Sequence, residues 1–179
     1  MEGIFFLILG GALFAHSWHL LGMYSDGRTM GIILGGLGIL TFYATTMDPL
    51  VVESVAKHAL IVGSAMKALM FVWAIYMLII AAHGIFDFDE RPIGFYSSFL
   101  AVVTFALLLL FAGQFRTIYG EMPWLAFSIA SFVLTIKATL SFFYFAFSYG
   151  VLRLVNGWFA LLGGTLVGVI GLSMLTGAL

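Results

Sequence analysis

Residues Ala59 to Ala82 read ALIVGSAMKALMFVWAIYMLIIAA and contain one charged side chain, Lys67. An α-helix needs roughly 20 apolar residues to cross the hydrocarbon core of a bilayer, so this stretch is long enough to span a membrane. It lacks the alternation of apolar and polar residues that is typical of a transmembrane β-strand. The stretch therefore predicts a membrane-spanning helix.

The rest of the chain repeats this pattern, with short polar links between apolar runs. The other runs are Gly3 to Met23, Thr29 to Thr46, Phe95 to Ala112, Trp124 to Tyr149 and Leu154 to Leu179. Of the 179 residues, 63% are hydrophobic and 8% are charged, and the mean hydropathy is +1.17. A water-soluble domain has too few polar side chains at this composition to cover its surface. We therefore predict an all-α integral membrane protein: one transmembrane domain over residues 1–179, folded as a six-transmembrane-helix bundle.

Composition also excludes several classes of partner and site. The net charge is −1, which leaves no basic surface for nucleic acid. The absence of cysteine excludes disulfides, zinc-thiolate sites and cysteine nucleophiles. The first run has no basic residue before it, since Glu2 is the only early charge, and we interpret it as a retained helix. We expect no cofactor.

The positive charges near the helix ends predict an orientation. Links one, three and five carry Arg28, Arg91 and Arg153, whereas links two and four carry Lys57 and Arg116. Cytoplasmic links carry the excess of Lys and Arg, so both termini are predicted to lie on the outer side. We place the protein in the cytoplasmic (inner) membrane.

Two lysines lie inside apolar runs, where a charge is costly and persists only if it faces protein or water. Lys67 is close enough to the end of its run to reach the interface. Lys137 lies deep in the fifth run with no acid within one helical turn. It either lines a hydrated path, or pairs with a helix C-terminus or with an acid of a neighbouring subunit.

His16 and His19 lie three residues apart and therefore share a helix face. Two imidazoles at this spacing can hold a metal ion, but two ligands are too few, and a pair of interfacial histidines beside Trp18 is the alternative. We predict no metal site. No nucleophile–base constellation and no P-loop or zinc-protease motif occurs, so we predict that the protein is not an enzyme.

Four local stretches together resemble one known family. They are Met1-Glu2-Gly3 with the following leucines, Gly35-Gly36-Leu37, DERPIGFYSSFLAV at 89–102, and RLVNGW at 153–158 before the last apolar run. Their order and spacing resemble the AmiS/UreI channels for urea and short-chain amides. The resemblance implies six helices, outer termini, a hexameric homo-oligomer and one passive pore per protomer for urea, acetamide or a similar small neutral solute.

The resemblance also implies which positions line that pore. Transferred residue by residue, they are Phe6, Leu9, Leu13 and His16 in the first helix, and Trp73 and Met77 in the third. The family's fifth helix is rich in tryptophan, whereas this chain keeps Trp124 and places Lys137 further along. We count both among the expected pore-lining residues, and a lysine there disfavours cations.

Other interpretations remain open at this stage. The missing tryptophans and glycine-rich helices are compatible with an accessory or structural subunit of a larger membrane complex, and the histidine pair with a metal-binding membrane enzyme. Some relatives open in acid, and the outer links carry four candidate pH-sensing residues: Asp48, Glu53, His58 and Glu121.

Overall fold

Each apolar run forms one long helix in the computed structural model, which describes residues 2–23, 26–47, 57–119 and 121–178. The helices are α1 (Glu2–Leu20), α2 (Gly27–Met47), α3 (Lys57–Phe86), α4 (Arg91–Tyr119), α5 (Glu121–Phe147) and α6 (Gly150–Leu175). The described residues contain no strand. All six helices are long and apolar enough to cross a membrane, which confirms the predicted all-helical integral membrane fold.

Helices α2, α3 and α4 extend beyond their apolar runs at both ends, whereas α1, α5 and α6 end a few residues before theirs. The predicted link from Gly113 to Pro123 is wrong, because α4 continues to Tyr119 and α5 begins at Glu121. The predicted link at Gly150 is also too long, since α6 begins at that residue. Polar side chains such as Arg, Lys, Glu and Gln end an apolar run, but they have high helix propensity and do not end a helix.

The six helices form a closed ring. Going round the ring, each helix contacts the next in the order α1, α6, α5, α4, α3, α2 and back to α1, and α1 also touches α3 across the bundle. The most extensive contacts occur within three pairs: α1 with α6, α4 with α5, and α2 with α3. The bundle is therefore three tightly packed helix pairs arranged around a common middle.

Glycine makes the close approach possible within these pairs. A Cβ atom on Gly10 of α1 would lie 2.6 Å from the carbonyl oxygen of Gly164 in α6. A Cβ on Gly84 of α3 would lie 2.6 Å from the carbonyl oxygen of Gly27 in α2, and one on Gly94 of α4 would lie 2.7 Å from Cα of Ala146 in α5. Small residues let helix backbones pack closely in lipid, and at these positions they do so within one protomer.

The bundle has two distinct ends. One end, which we call the vestibule end, carries Leu20, Phe86 and Phe147 together with the link residues 87–90 and 148–149. The opposite end, which we call the terminal end, carries Glu2 and Leu175. A side chain in the middle of the bundle therefore lies closer either to the vestibule end or to the terminal end.

Candidate functional site

Most of the predicted pore-lining side chains lie inside the bundle. Seven of the eight are at most 3% exposed: Phe6, Leu9, Leu13, His16, Trp73, Met77 and Lys137. Trp124 differs, since it is half-buried and its indole N–H donates a 3.0 Å hydrogen bond to the carbonyl oxygen of Ala112. Trp124 therefore ties α5 to α4 near the terminal end.

Aromatic rings fill the middle between the terminal end and the centre. Phe6 of α1 packs edge-on against Phe127 of α5, with ring centroids 5.4 Å apart. Nearer the centre, Trp73 packs edge-on against Tyr76 at 5.3 Å, and its indole N–H donates a 3.2 Å hydrogen bond to Thr104 Oγ1 of α4. Because the indole is satisfied by protein, Trp73 is held in a fixed orientation.

A cluster of polar side chains follows next along the axis, and we call it the central polar cluster. Lys137 Nζ donates a 2.8 Å hydrogen bond to Ser141 Oγ, one turn along α5. Asn156 Nδ2 of α6 donates to the same oxygen at 3.4 Å, and the Tyr76 hydroxyl of α3 lies 3.0 Å from it. All four side chains are buried. Three helices thus meet at one serine oxygen.

Hydrogen-bond capacity in this cluster is not fully used. A serine hydroxyl takes part in at most three hydrogen bonds, and Lys137, Asn156 and the Tyr76 hydroxyl all lie within hydrogen-bond distance of Ser141 Oγ, so its capacity is used up. A lysine ammonium has three donors, and within the described residues Lys137 uses one. Asn156 Oδ1 is buried and has no hydrogen-bond partner among the described residues. The cluster therefore offers spare donors beside a spare acceptor.

Lys137 is fully buried within one protomer, and its described partner is the hydroxyl of Ser141. Whether it lines a hydrated path stays a prediction. Lys67 behaves differently. It is partly exposed and lies near Thr45 and Ile4 on the flank of the bundle. The two lysines of the apolar runs thus occupy contrasting environments.

A polar cavity opens at the vestibule end, and we call it the vestibule. It is small, and its polar lining residues are His16, His19, His83, Glu90 and Tyr144. His16 is almost fully buried at the inner side of this cavity. Phe145 of α5 also lines it and lies one turn after Ser141, so the vestibule adjoins the central polar cluster.

His83 fastens the link between α3 and α4 beside the vestibule. Its Nδ1 lies 2.6 Å from the carbonyl oxygen of Phe88, so that nitrogen donates, and its Nε2 lies 3.7 Å from Glu90 Oε1. His83 directly follows the third apolar run, and nothing in the sequence indicates that it lines the same cavity as His16 and His19. No group of three or more His, Cys, Asp or Glu in the described parts of the chain is arranged to hold a metal ion.

The side chains of the four candidate pH-sensing residues are not described by the structure. Asp48 and Glu53 lie outside the described residues. His58 and Glu121 lie in α3 and α5, but their side chains are not described. Their role stays a prediction.

Sequence reasoning missed three members of the central polar cluster: Tyr76, Ser141 and Asn156. Ser141 had a signal, because it lies four residues after Lys137 and therefore on the same helix face. Asn156 lies at the polar start of the last apolar run, where a polar residue is expected, although α6 begins six residues earlier, at Gly150. Tyr76 had no distinguishing signal within its aromatic run.

The architecture can be compared with known proteins. No family model matches this sequence, and no curated protein matches it. A cryo-EM structure of the Helicobacter pylori urea channel in a closed state superposes on it with a TM-score of 0.77, covering 100% of both chains at 18% sequence identity. This chain has the fold of that urea channel. This fold agrees with the family resemblance of the sequence, and the superposition covers the whole chain.

Proposed function

We propose that this protein is a passive membrane channel for urea, acetamide or a similar small neutral solute, with one pore through each protomer. The observation that carries the proposal is the superposition on a urea channel over the full length of both chains. The neighbouring structure is a channel and not an enzyme, in line with the absence of a catalytic constellation from the sequence.

The interior has the chemistry that such a solute requires. A planar neutral molecule passes between apolar and aromatic walls with a few hydrogen-bonding groups, whereas an ion loses its hydration without compensation. The middle of the bundle offers the rings of Phe6 and Trp73, followed by the central polar cluster. A protonated Lys137 adds a positive charge that repels ammonium.

We assign the pore wall to the predicted residues. In this proposal Phe6, Leu9, Leu13 and His16 of α1 face Trp73 and Met77 of α3, with Lys137 of α5 in the middle and Trp124 beside the terminal-end mouth. Seven of these side chains are almost fully buried in the described conformation, which is therefore an occluded one. Conduction requires these side chains to move apart.

The oligomer, the membrane and the gating are further parts of the proposal. We expect a hexameric homo-oligomer in the cytoplasmic membrane with both termini outside. Native mass spectrometry in detergent should give a single species of six chains, and a monomer or a stable foreign partner would contradict it. If Asp48, Glu53, His58 and Glu121 sense protons, urea flux should differ between acidic and neutral outer pH, and a flat profile would contradict that role.

Uptake into liposomes tests the function directly. Radiolabelled urea and acetamide should equilibrate across proteoliposomes faster than across empty liposomes, without any energy source and to the same final level. Accumulation above the outer concentration would contradict a passive mechanism. Uptake equal to that of empty liposomes for both solutes would contradict the channel.

A further inference from the structure

The central polar cluster places a lysine and an asparagine side chain in the interior of a membrane-spanning bundle, where polar groups are rare. A buried polar group that lacks a partner costs free energy, and a buried ammonium costs more. Lys137 and Asn156 are both buried, and each keeps unused hydrogen-bonding capacity among the described residues. Such groups require an explanation, and a bound water, ion or substrate that completes their hydrogen bonds is one.

The unused hydrogen-bonding groups are donors on one side chain and an acceptor on the other, and this combination determines which ligand can bind. Lys137 presents spare N–H donors, and Asn156 Oδ1 presents an acceptor. Both side chains bind the same atom, Ser141 Oγ, at 2.8 Å and 3.4 Å, so their free ends lie within one small molecule's width of each other. A matching ligand carries an acceptor and a donor together.

We infer that Lys137 and Asn156 form the selectivity site of the channel, where Lys137 donates to the carbonyl oxygen of a small amide and Asn156 Oδ1 accepts from its N–H. This inference rests on the proposed function and names the residues that discriminate among solutes. A carbonyl with an adjacent N–H is the defining feature of urea and of primary amides. An ion that carries donors alone or acceptors alone satisfies one half of the site and meets repulsion or an unpaired group at the other.

Position along the axis supports this assignment. Tyr76 lies one turn of α3 beyond Trp73, and Ser141 lies one turn of α5 before Phe145 of the vestibule lining. The cluster therefore lies between the aromatic middle and the vestibule, on the route of the proposed pore. The wall before it is largely apolar, and the vestibule beyond it carries several polar groups. Discrimination by hydrogen bonds is therefore concentrated where the apolar wall ends.

Three planar molecules of nearly equal size test the donor and the acceptor of the site independently. Urea has a carbonyl oxygen and N–H donors, guanidinium has N–H donors and a positive charge, and nitrate has acceptor oxygens and a negative charge. Wild-type proteoliposomes should take up urea and exclude guanidinium. Excess acetamide should reduce labelled urea uptake, whereas excess guanidinium should not.

Substitutions of Lys137 and Asn156 test whether these two residues cause the discrimination between urea and guanidinium. Lys137→Met keeps the length and removes the donors and the charge, so urea uptake should fall about tenfold and guanidinium uptake should rise above that of empty liposomes. Asn156→Leu removes the acceptor while Lys137 remains, so guanidinium should stay excluded and nitrate should become an inhibitor of urea uptake. Lys67→Met is the matched control, because it makes the same change on the flank of the bundle, and it should behave as wild type.

The outcomes separate this inference from the proposed function. If wild-type protein conducts urea but Lys137→Met and Asn156→Leu match Lys67→Met in urea uptake and guanidinium exclusion, the selectivity site is wrong and the channel stands. If wild-type protein conducts no urea, both fail. Should Lys137→Met not fold, wild-type competition decides: guanidinium competing as well as acetamide would overturn the inference.

Discussion

Lys137 Nζ lies 2.8 Å from Ser141 Oγ on the next turn of α5, and both side chains are buried in the middle of the bundle. Ser141 Oγ is also within hydrogen-bond distance of Asn156 in α6 and Tyr76 in α3. One hydroxyl therefore joins side chains from three helices.

Removing that hydroxyl should destabilise the bundle. Ser141→Ala leaves Lys137 and Asn156 without their shared acceptor, and a buried donor without a partner costs about 1–3 kcal/mol. We expect a lower midpoint of thermal unfolding in detergent. Ser98→Ala is the control, because Ser98 bonds the carbonyl oxygen of Phe95 within its own helix, and its midpoint should stay near wild type. Equal midpoints for the two variants would contradict the role of Ser141.

The close packing of α1 against α6 predicts that two adjacent glycines, Gly10 and Gly11, differ in their tolerance of alanine. Gly10→Ala places a Cβ 2.6 Å from the carbonyl oxygen of Gly164, and overpacking of this kind costs about 1–3 kcal/mol. Gly11→Ala meets no described atom within 4 Å. Thermal unfolding in detergent should therefore show a loss for Gly10→Ala and none for Gly11→Ala. The reverse order would mean that α1 presents another face to α6.

The link from α3 to α4 should loosen when His83 is replaced. His83→Leu removes the 2.6 Å hydrogen bond to the carbonyl oxygen of Phe88, so backbone amides in residues 87–90 should exchange with deuterium faster. His19→Leu is the control, because His19 Nδ1 has no hydrogen-bond partner among the described residues. Exchange that is unchanged in His83→Leu would show that the link is held by other contacts.

Orientation can be tested with single cysteines, because the chain contains none. Ala178→Cys lies beyond α6 at the terminal end, and Asp89→Cys lies in the link after α3 at the vestibule end. A membrane-impermeant maleimide added to intact cells should label Ala178→Cys, and it should label Asp89→Cys only after lysis. The opposite labelling would place both termini in the cytoplasm.

The sequence predicts the helices far better than it predicts the site. Apolar runs of sufficient length predict spans because lipid forces the backbone of each span to satisfy its own hydrogen bonds. The ends were less accurate, as at Tyr119 and Glu121, because hydropathy records the membrane boundary and not the end of the helix. Lys137 stood out from sequence because a charge in an apolar run is rare.

The partners of Lys137 in the central polar cluster could not be predicted, because they depend on which helices pack together. Asn156 of α6 lies 15 positions after Ser141, and Tyr76 of α3 lies 65 positions before it. His83 joins His16 only because α3 and α1 end on the same side of the ring. No spacing along the chain records these contacts.

Stopped-flow light scattering of proteoliposomes in a urea gradient tests the channel most directly, with two tryptophan substitutions as a matched pair. Leu13 is 3% exposed in the middle of the bundle, and Leu162 is 65% exposed on its outer face. Wild type and Leu162→Trp should equilibrate urea faster than empty liposomes, whereas Leu13→Trp should fall to the rate of empty liposomes because the larger ring blocks the middle. Equal rates for wild type and Leu13→Trp, or a wild-type rate equal to that of empty liposomes, would contradict a pore through the protomer.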